Sequence, residues 1–137
     1  MKMSEENYKT CERIRDHLVA CYEGRVKRCL ECGEVFTDPV GVCECGEMES
    51  EDEWEPIAPL DDQYIYDVEY AIGGDHEYRS VTVMIACGGP NICVNTGGNC
   101  VELYWGNEEA SAWLPPEVAA EIDDIFKETY ETGRIIV

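Results

Sequence analysis

The chain is short of positive charge and short of histidine. No Lys or Arg occurs between Arg28 and Arg79, an interval that holds sixteen carboxylates, and none occurs again from Ser80 to Phe126, where there are seven. Phosphate binding needs clustered cations, so these intervals argue against direct contact with nucleic acid or an anionic membrane surface. No apolar run reaches the roughly 18 residues that a membrane-spanning helix requires. The opening MKMSEENYKT has no apolar stretch of secretory type, so a soluble, cytoplasmic protein is expected. His17 and His76 are the only histidines, and neither lies in a recognisable nucleophile motif. GGPN (88–91) and TGGN (96–99) match no dinucleotide or phosphate-loop pattern and have no lysine to reach a phosphate, so they read as turns. There is no internal repeat, and an enzyme is not expected.

What is present is acid and cysteine. Thirty Asp and Glu face ten Lys and Arg in 137 residues, a formal net charge of -20. That is well beyond the magnitude of about 2 to 8 that keeps a small domain soluble. Such a field draws in cationic protein surfaces over about one Debye length, roughly 10 Å at moderate salt. Four of the nine cysteines, Cys29, Cys32, Cys43 and Cys45, fall within seventeen positions of the segment RCLECGEVFTDPVGVCECGE (28–47). In a reducing compartment closely spaced pairs favour metal over disulfide, and the odd total leans the same way. The remaining cysteines read as small buried hydrophobes, with a further cluster of Cys87, Cys93, Cys100 and His76 conceivable as a second metal site.

The two pairs suit a tetrahedral zinc ion, and Gly33 and Gly46 after each second cysteine allow the tight turn that points backbone amides at sulfur. The CxC spacing of the second pair departs from the commoner CxxC. Over this segment the chain resembles the zinc-ribbon or rubredoxin-knuckle class. The resemblance implies a closed Zn2+ site that folds the loop, contributing on the order of 10 kcal/mol, and does no chemistry. Arg25, Lys27 and Arg28 precede the first cysteine and only acids follow it, which speaks against nucleic-acid binding by the ribbon.

Four regions are expected. Residues 1–24 carry a helix with Tyr8, Cys11, Ile14, Leu18, Val19 and Tyr22 near the 3.6-residue period, Ser4 as its cap and Gly24 as its stop. Residues 25–48 are the cysteine knuckle, and 49–62 an acidic, proline-containing connector. Trp54 in that connector can either fold back over a core edge or anchor a partner. Residues 63–137 form an α+β domain: a small antiparallel sheet of about four strands, packed by a C-terminal helix. The expected strands are QYIYDVEYAI from Gln63, YRSVTVMIAC (78–87), NICVNT and NCVELYW, with turns at 73–75 and at Gly97 and Gly98. Pro115 and Pro116 open the helix, whose Val118, Ile122, Ile125, Phe126 and Tyr130 face the sheet. Gly133 is expected to end it, with RIIV as a possible edge strand.

The far side of that helix presents Glu117, Glu121, Asp124, Glu128 and Glu131 at steps of three and four, a row about 21 Å long. Glu49, Glu51, Asp52 and Glu53 in the connector offer a second row. Ordinary solvated charge is the bland account of both; mimicry of a phosphate backbone is the sharper one. The run GGPNICVNTGG…VELYWG…LPPEVAAEIDDIF, and more broadly residues 64–131, is similar in style to small acidic proteins of phages and other mobile elements, the anti-CRISPR and antirestriction proteins. That resemblance implies an inhibitor of a nuclease or CRISPR effector that occupies a basic, nucleic-acid-binding groove, with no residue-level assignment. The alternative is a zinc-ribbon adaptor in a transcription or assembly complex, anchored by Trp54, Trp105 or Trp113.

Overall fold

Gly24 fixes where the first helix stops. α1 runs Glu5–Tyr22, and Gly24 takes φ 78, a left-handed conformation that costs glycine nothing. Its N–H donates to the Cys21 carbonyl at 3.0 Å and the Arg25 N–H to the Ala20 carbonyl at 2.9 Å, the paired bonds of a Schellman cap. The buried side of α1 is Asn7, Cys11, Leu18, Ala20 and Cys21, whereas Tyr8 and Tyr22 are exposed, so the apolar stripe lies rotated from the one periodicity suggested. The computed structural model describes residues 5–47 and 49–136, with side chains as far as Thr132. The expected Ser4 cap lies outside the described residues.

The chain divides into two compact units. One is Asp16–Asp62; the other joins the chain up to Arg15 with the chain from Gln63. In the first, β1 (Val26–Cys29) pairs antiparallel with β2 (Val35–Thr37) on one side and β3 (Trp54–Pro56) on the other. A 3-10 turn, Glu51–Glu53, leads into β3. This three-stranded sheet was not anticipated. Its strands are only three or four residues long, too short for alternation to be visible, and β3 carries a proline, which an edge strand tolerates. Its core joins Ala20, Cys21, Val26 and Ile57.

In the second unit β4 (Asp67–Ile72), β5 (Tyr78–Ala86), β6 (Asn91–Asn95), β7 (Cys100–Trp105) and β8 (Glu108–Trp113) form an antiparallel meander in sequence order. The protein is α+β, with two helices and two antiparallel sheets, but the larger sheet has five strands rather than four. The missed strand, EEASAW, is rich in residues with weak strand preference. What makes it a strand is the two-residue connection Gly106–Asn107, with Gly106 at φ 63, which returns the chain along β7 so that Trp105 pairs with Glu108 and Leu103 with Ala110. β4 also starts later than expected: Tyr64 and Tyr66 precede it, exposed, with their rings against each other at 4.7 Å.

Two turns differ in detail. Between β4 and β5 the positive φ falls on His76 (64), and between β6 and β7 on Asn99 (50), rather than on the neighbouring glycines. Gly97 is needed for a different reason: a Cβ there would sit 2.8 Å from the Ser80 hydroxyl oxygen.

α2 runs Pro116–Ile136. It continues past Gly133, so neither the expected stop nor the edge strand at residues 134–136 is found. Val118, Ala119, Ile122 and Phe126 are buried, and the sheet's inner face supplies Val81, Val83, Ile92, Val94, Val101, Leu103, Ala110 and Ala112. Ile125 is exposed instead of buried. Asp123 takes a place toward the sheet: it accepts hydrogen bonds from the Tyr78 hydroxyl at 2.6 Å and the Thr96 hydroxyl at 2.7 Å. Thr96 in turn accepts from the Val81 N–H at 2.9 Å, so this buried polar group is satisfied. Burial, followed by the bond to Asp123, pushes the Tyr78 hydroxyl well above the ordinary tyrosine range.

Candidate metal centre

The four knuckle cysteines converge. Cys29 ends β1, the chain turns through Cys32 and Gly33 (φ 80), and the Gly33 N–H donates to the Cys29 carbonyl at 2.9 Å. Cys43 and Cys45 approach on a second turn closed by Gly46 (φ 78), whose N–H donates to the Cys43 carbonyl at 3.2 Å. All four sulfurs lie within 4.8 Å of one another. Cys29 Sγ is 3.8 Å from Cys45 Sγ, and Cys32 Sγ is 3.7 Å from Cys43 Sγ, with no disulfide. The Cys32 N–H points at Cys29 Sγ, 3.5 Å away. This arrangement can hold a metal ion.

Trp54 supports the cluster from behind. Paired with Cys29 across β1 and β3, it packs on Cys29 and Cys43, donates its indole N–H to the Gly41 carbonyl at 2.7 Å, and meets Phe36 edge-on at 5.7 Å. Phe36, Trp54 and Val42 line a shallow hollow beside it.

Proton affinities within the cluster diverge. Burial raises the Cys29 thiol, but the Cys32 and Glu31 N–H groups and the thiols of Cys32 and Cys45 outweigh it and bring it down to about 7. For Cys32 the Glu34 N–H acts downward, yet burial and the other three thiols push it up to about 12. The Cys29 thiolate forms readily while Cys32 and Cys43 resist, because several anions this close repel unless a cation sits among them.

The acidic residues are placed as follows. On α2, Glu117, Asp124, Glu128 and Glu131 are exposed on the side away from the sheet, and Glu121 is half-buried with one carboxylate oxygen shielded. In the other unit Glu49, Glu51 and Asp52 are exposed and Glu53 is half-buried, its carboxylate accepting the Glu49 N–H at 3.2 Å. Among the described residues none of these nine carboxylates is paired with a cation. Four cations are engaged elsewhere, Lys9 with Glu5, Arg25 with Glu23 and Asp38, Arg28 with Asp61, and Arg79 with Asp75, while Lys127 lies exposed on α2 among the acids of the row. Trp105 and Trp113 are both more than half exposed.

Cys87, Cys93, Cys100 and His76 do not assemble into a metal-ligating group among the described residues. A different group does: His17, Cys21 and Asp62 bring ligand atoms within 4.8 Å of one another. The spacing of His17 and Cys21, one helical turn apart, was the available signal. Asp62, more than forty positions on, gave none.

Fold and site together define the class: an α+β protein with a four-cysteine cluster able to hold a metal ion. No protein-family model, curated protein or solved structure matches the chain, so the class is as far as the comparisons reach. Among the described residues no helix is long and apolar enough to cross a membrane.

Proposed function

We propose that this protein is a non-enzymatic acidic inhibitor: its knuckle is closed by Zn2+, and its carboxylate face occupies a basic, nucleic-acid-binding surface on another protein, such as a nuclease or CRISPR effector. Zinc is favoured by the sulfur spacings. Four thiolates at about 2.3 Å from a central ion lie about 3.8 Å apart at the corners of a tetrahedron. Two of the pairs, Cys32–Cys43 at 3.7 Å and Cys29–Cys45 at 3.8 Å, already have that spacing. With four sulfur ligands the site has no vacant position, so its role is to fold residues 26–47, where cysteines and short strands stand in for a hydrophobic core.

The observation that carries the inhibitor reading is the unneutralised row on α2. Five carboxylates repeat at steps of three and four along one helix, none of them ion-paired among the described residues, while Arg25, Arg28 and Arg79 are spent on other acids and the row's acids outnumber Lys127, which lies exposed among them. A surface of that kind gains most from a partner that supplies Lys and Arg, and it competes with phosphate for them.

The test is capture of partners from host lysate, followed by measurement of the partner's nucleic-acid binding as this protein is added. Affinity is expected to fall steeply between low and moderate salt, with nucleic acid displaced. The variant Glu117→Gln/Asp124→Asn/Glu128→Gln/Glu131→Gln, altered only at exposed positions, is expected to fold normally and lose at least tenfold in affinity. A complex insensitive to both salt and these substitutions, but weakened by Trp105→Ala or Trp113→Ala, would replace this reading with the adaptor.

A further inference from the structure

We infer that His17, Cys21 and Asp62 form a second metal site, separate from the knuckle, which takes one borderline divalent cation of the zinc type and leaves a coordination position to water. Three kinds of donor meet here from two parts of the chain. His17 and Cys21 lie one turn apart on α1, so their side chains project on the same side of the helix. Asp62 follows a segment held in place by buried Ile57 and Leu60, by the Asp61 N–H donating to the Ala58 carbonyl at 3.1 Å, and by the Arg28–Asp61 ion pair at 3.2 Å. His17 Nε2 is 2.7 Å from Asp62 Oδ2, and the three ligand atoms fall within 4.8 Å.

The donor set selects the ion. One imidazole nitrogen, one thiolate sulfur and one carboxylate oxygen suit zinc and its neighbours, whereas magnesium and calcium seek several oxygens and only Asp62 offers any. Burial sets the geometry. Cys21 is 4% exposed, while the His17 and Asp62 side chains keep 30% and 14% of their surface, so solvent reaches the imidazole and carboxylate but not the sulfur. Water is therefore available as a fourth ligand on that side. Around zinc the nitrogen and oxygen would stand about 3.4 Å apart, so the hydrogen-bonded pair has only to open by under an ångström. The competing account is a histidine–carboxylate pair above a packed cysteine, holding no metal. A bound ion would clamp the second half of α1 to the chain at residues 57–62. This site does not depend on the inhibitor reading or on the knuckle being filled.

Only two histidines exist, which gives a direct test on the unmodified full chain. Metal-free, reduced protein is titrated with Zn2+ while the ring nitrogens of His17 and His76 are followed by NMR, and bound metal is counted in parallel. The expected result is two equivalents, the second accompanied by a shift of the His17 ring nitrogens with His76 unmoved. His17→Gln and Asp62→Asn, at partly exposed positions, are each expected to bind one equivalent fewer, and Cys45→Ser to lose the other one. A His17 spectrum unchanged at saturating Zn2+, or a metal count equal in His17→Gln and the unmodified protein, overturns the inference. A single equivalent lost in His17→Gln but kept in Cys45→Ser would support this site and count against the knuckle.

Discussion

At the scale of single residues, the knuckle and the Tyr78–Asp123 pair make opposite demands on protons. The cysteines must lose theirs for a metal to bind, so Cys45→Ser, which removes one of four thiolates from an exposed position, is expected to lower bound zinc by one equivalent. Amide hydrogen exchange should then accelerate across residues 26–47 and stay unchanged in β5 to β7. Tyr78, by contrast, must keep its proton to donate to Asp123. Its folded-state pKa lies above the ordinary value near 10, as do those of Tyr70, raised by burial, and Tyr104, raised to about 12 by its bond to Glu102 and by burial. Below pH 10 both folded and unfolded chains hold these protons and the contribution is complete. Above it the unfolded chain releases them first, so stability declines as pH climbs toward the folded values. Tyr78→Phe is expected to reduce that alkaline decline and, because Asp123 loses a buried donor, to cost about 1–3 kcal/mol at neutral pH in denaturant titrations.

At the scale of elements, Gly24 offers the sharpest single test. Alanine there must adopt φ near 78 without glycine's freedom, so Gly24→Ala is expected to cost roughly 1–2 kcal/mol, with Gly24→Asn milder. The same glycine shows why some elements were legible in the sequence: its stop, the apolar run of β5, the β6–β7 pair and the Pro116 helix start each rest on a local rule that holds wherever the chain is placed. The cysteine cluster was legible for a similar reason, since short pairs bring ligands together without help from distant residues. What was hidden depends on partners far along the chain. β3 exists because Cys29 lies opposite Trp54, β8 because a two-residue turn pairs Ala110 with Leu103 and Ala112 with Val101, and Asp123 faces the sheet because Tyr78 and Thr96 are there to donate to it. Gly133 misled because a glycine near a helix end is a stop only where the next residues gain by leaving the helix. Trp54, read either as a core cover or as an anchor, lies half-buried against the sulfur cluster, with its N–H spent on Gly41.

At the scale of the whole molecule, charge is the term out of balance, and its sign can be checked without knowing any partner. Two effects of salt oppose each other. Added salt weakens the ion pairs of Lys9, Arg25, Arg28 and Arg79, but exposed pairs contribute only about 0–1 kcal/mol each. It also screens the mutual repulsion of a chain with net charge -20. In the folded chain that repulsion is on the order of tens of kcal/mol in unscreened water, and the more expanded unfolded chain carries only a fraction of it. The repulsive term wins. Raising ionic strength from about 0.01 to 0.15 M shortens the screening length from roughly 30 to 8 Å, less than the span of the α2 row, and the melting temperature is expected to rise. Each kcal/mol recovered corresponds to roughly 4 °C for a chain of this size. The four-residue neutralisation on α2 should melt higher than the unmodified protein at low salt and converge with it at high salt, as followed by circular dichroism. A melting temperature that falls with salt would mean that the surface pairs outweigh the repulsion, and that the acidic row already has its counter-charges within the molecule.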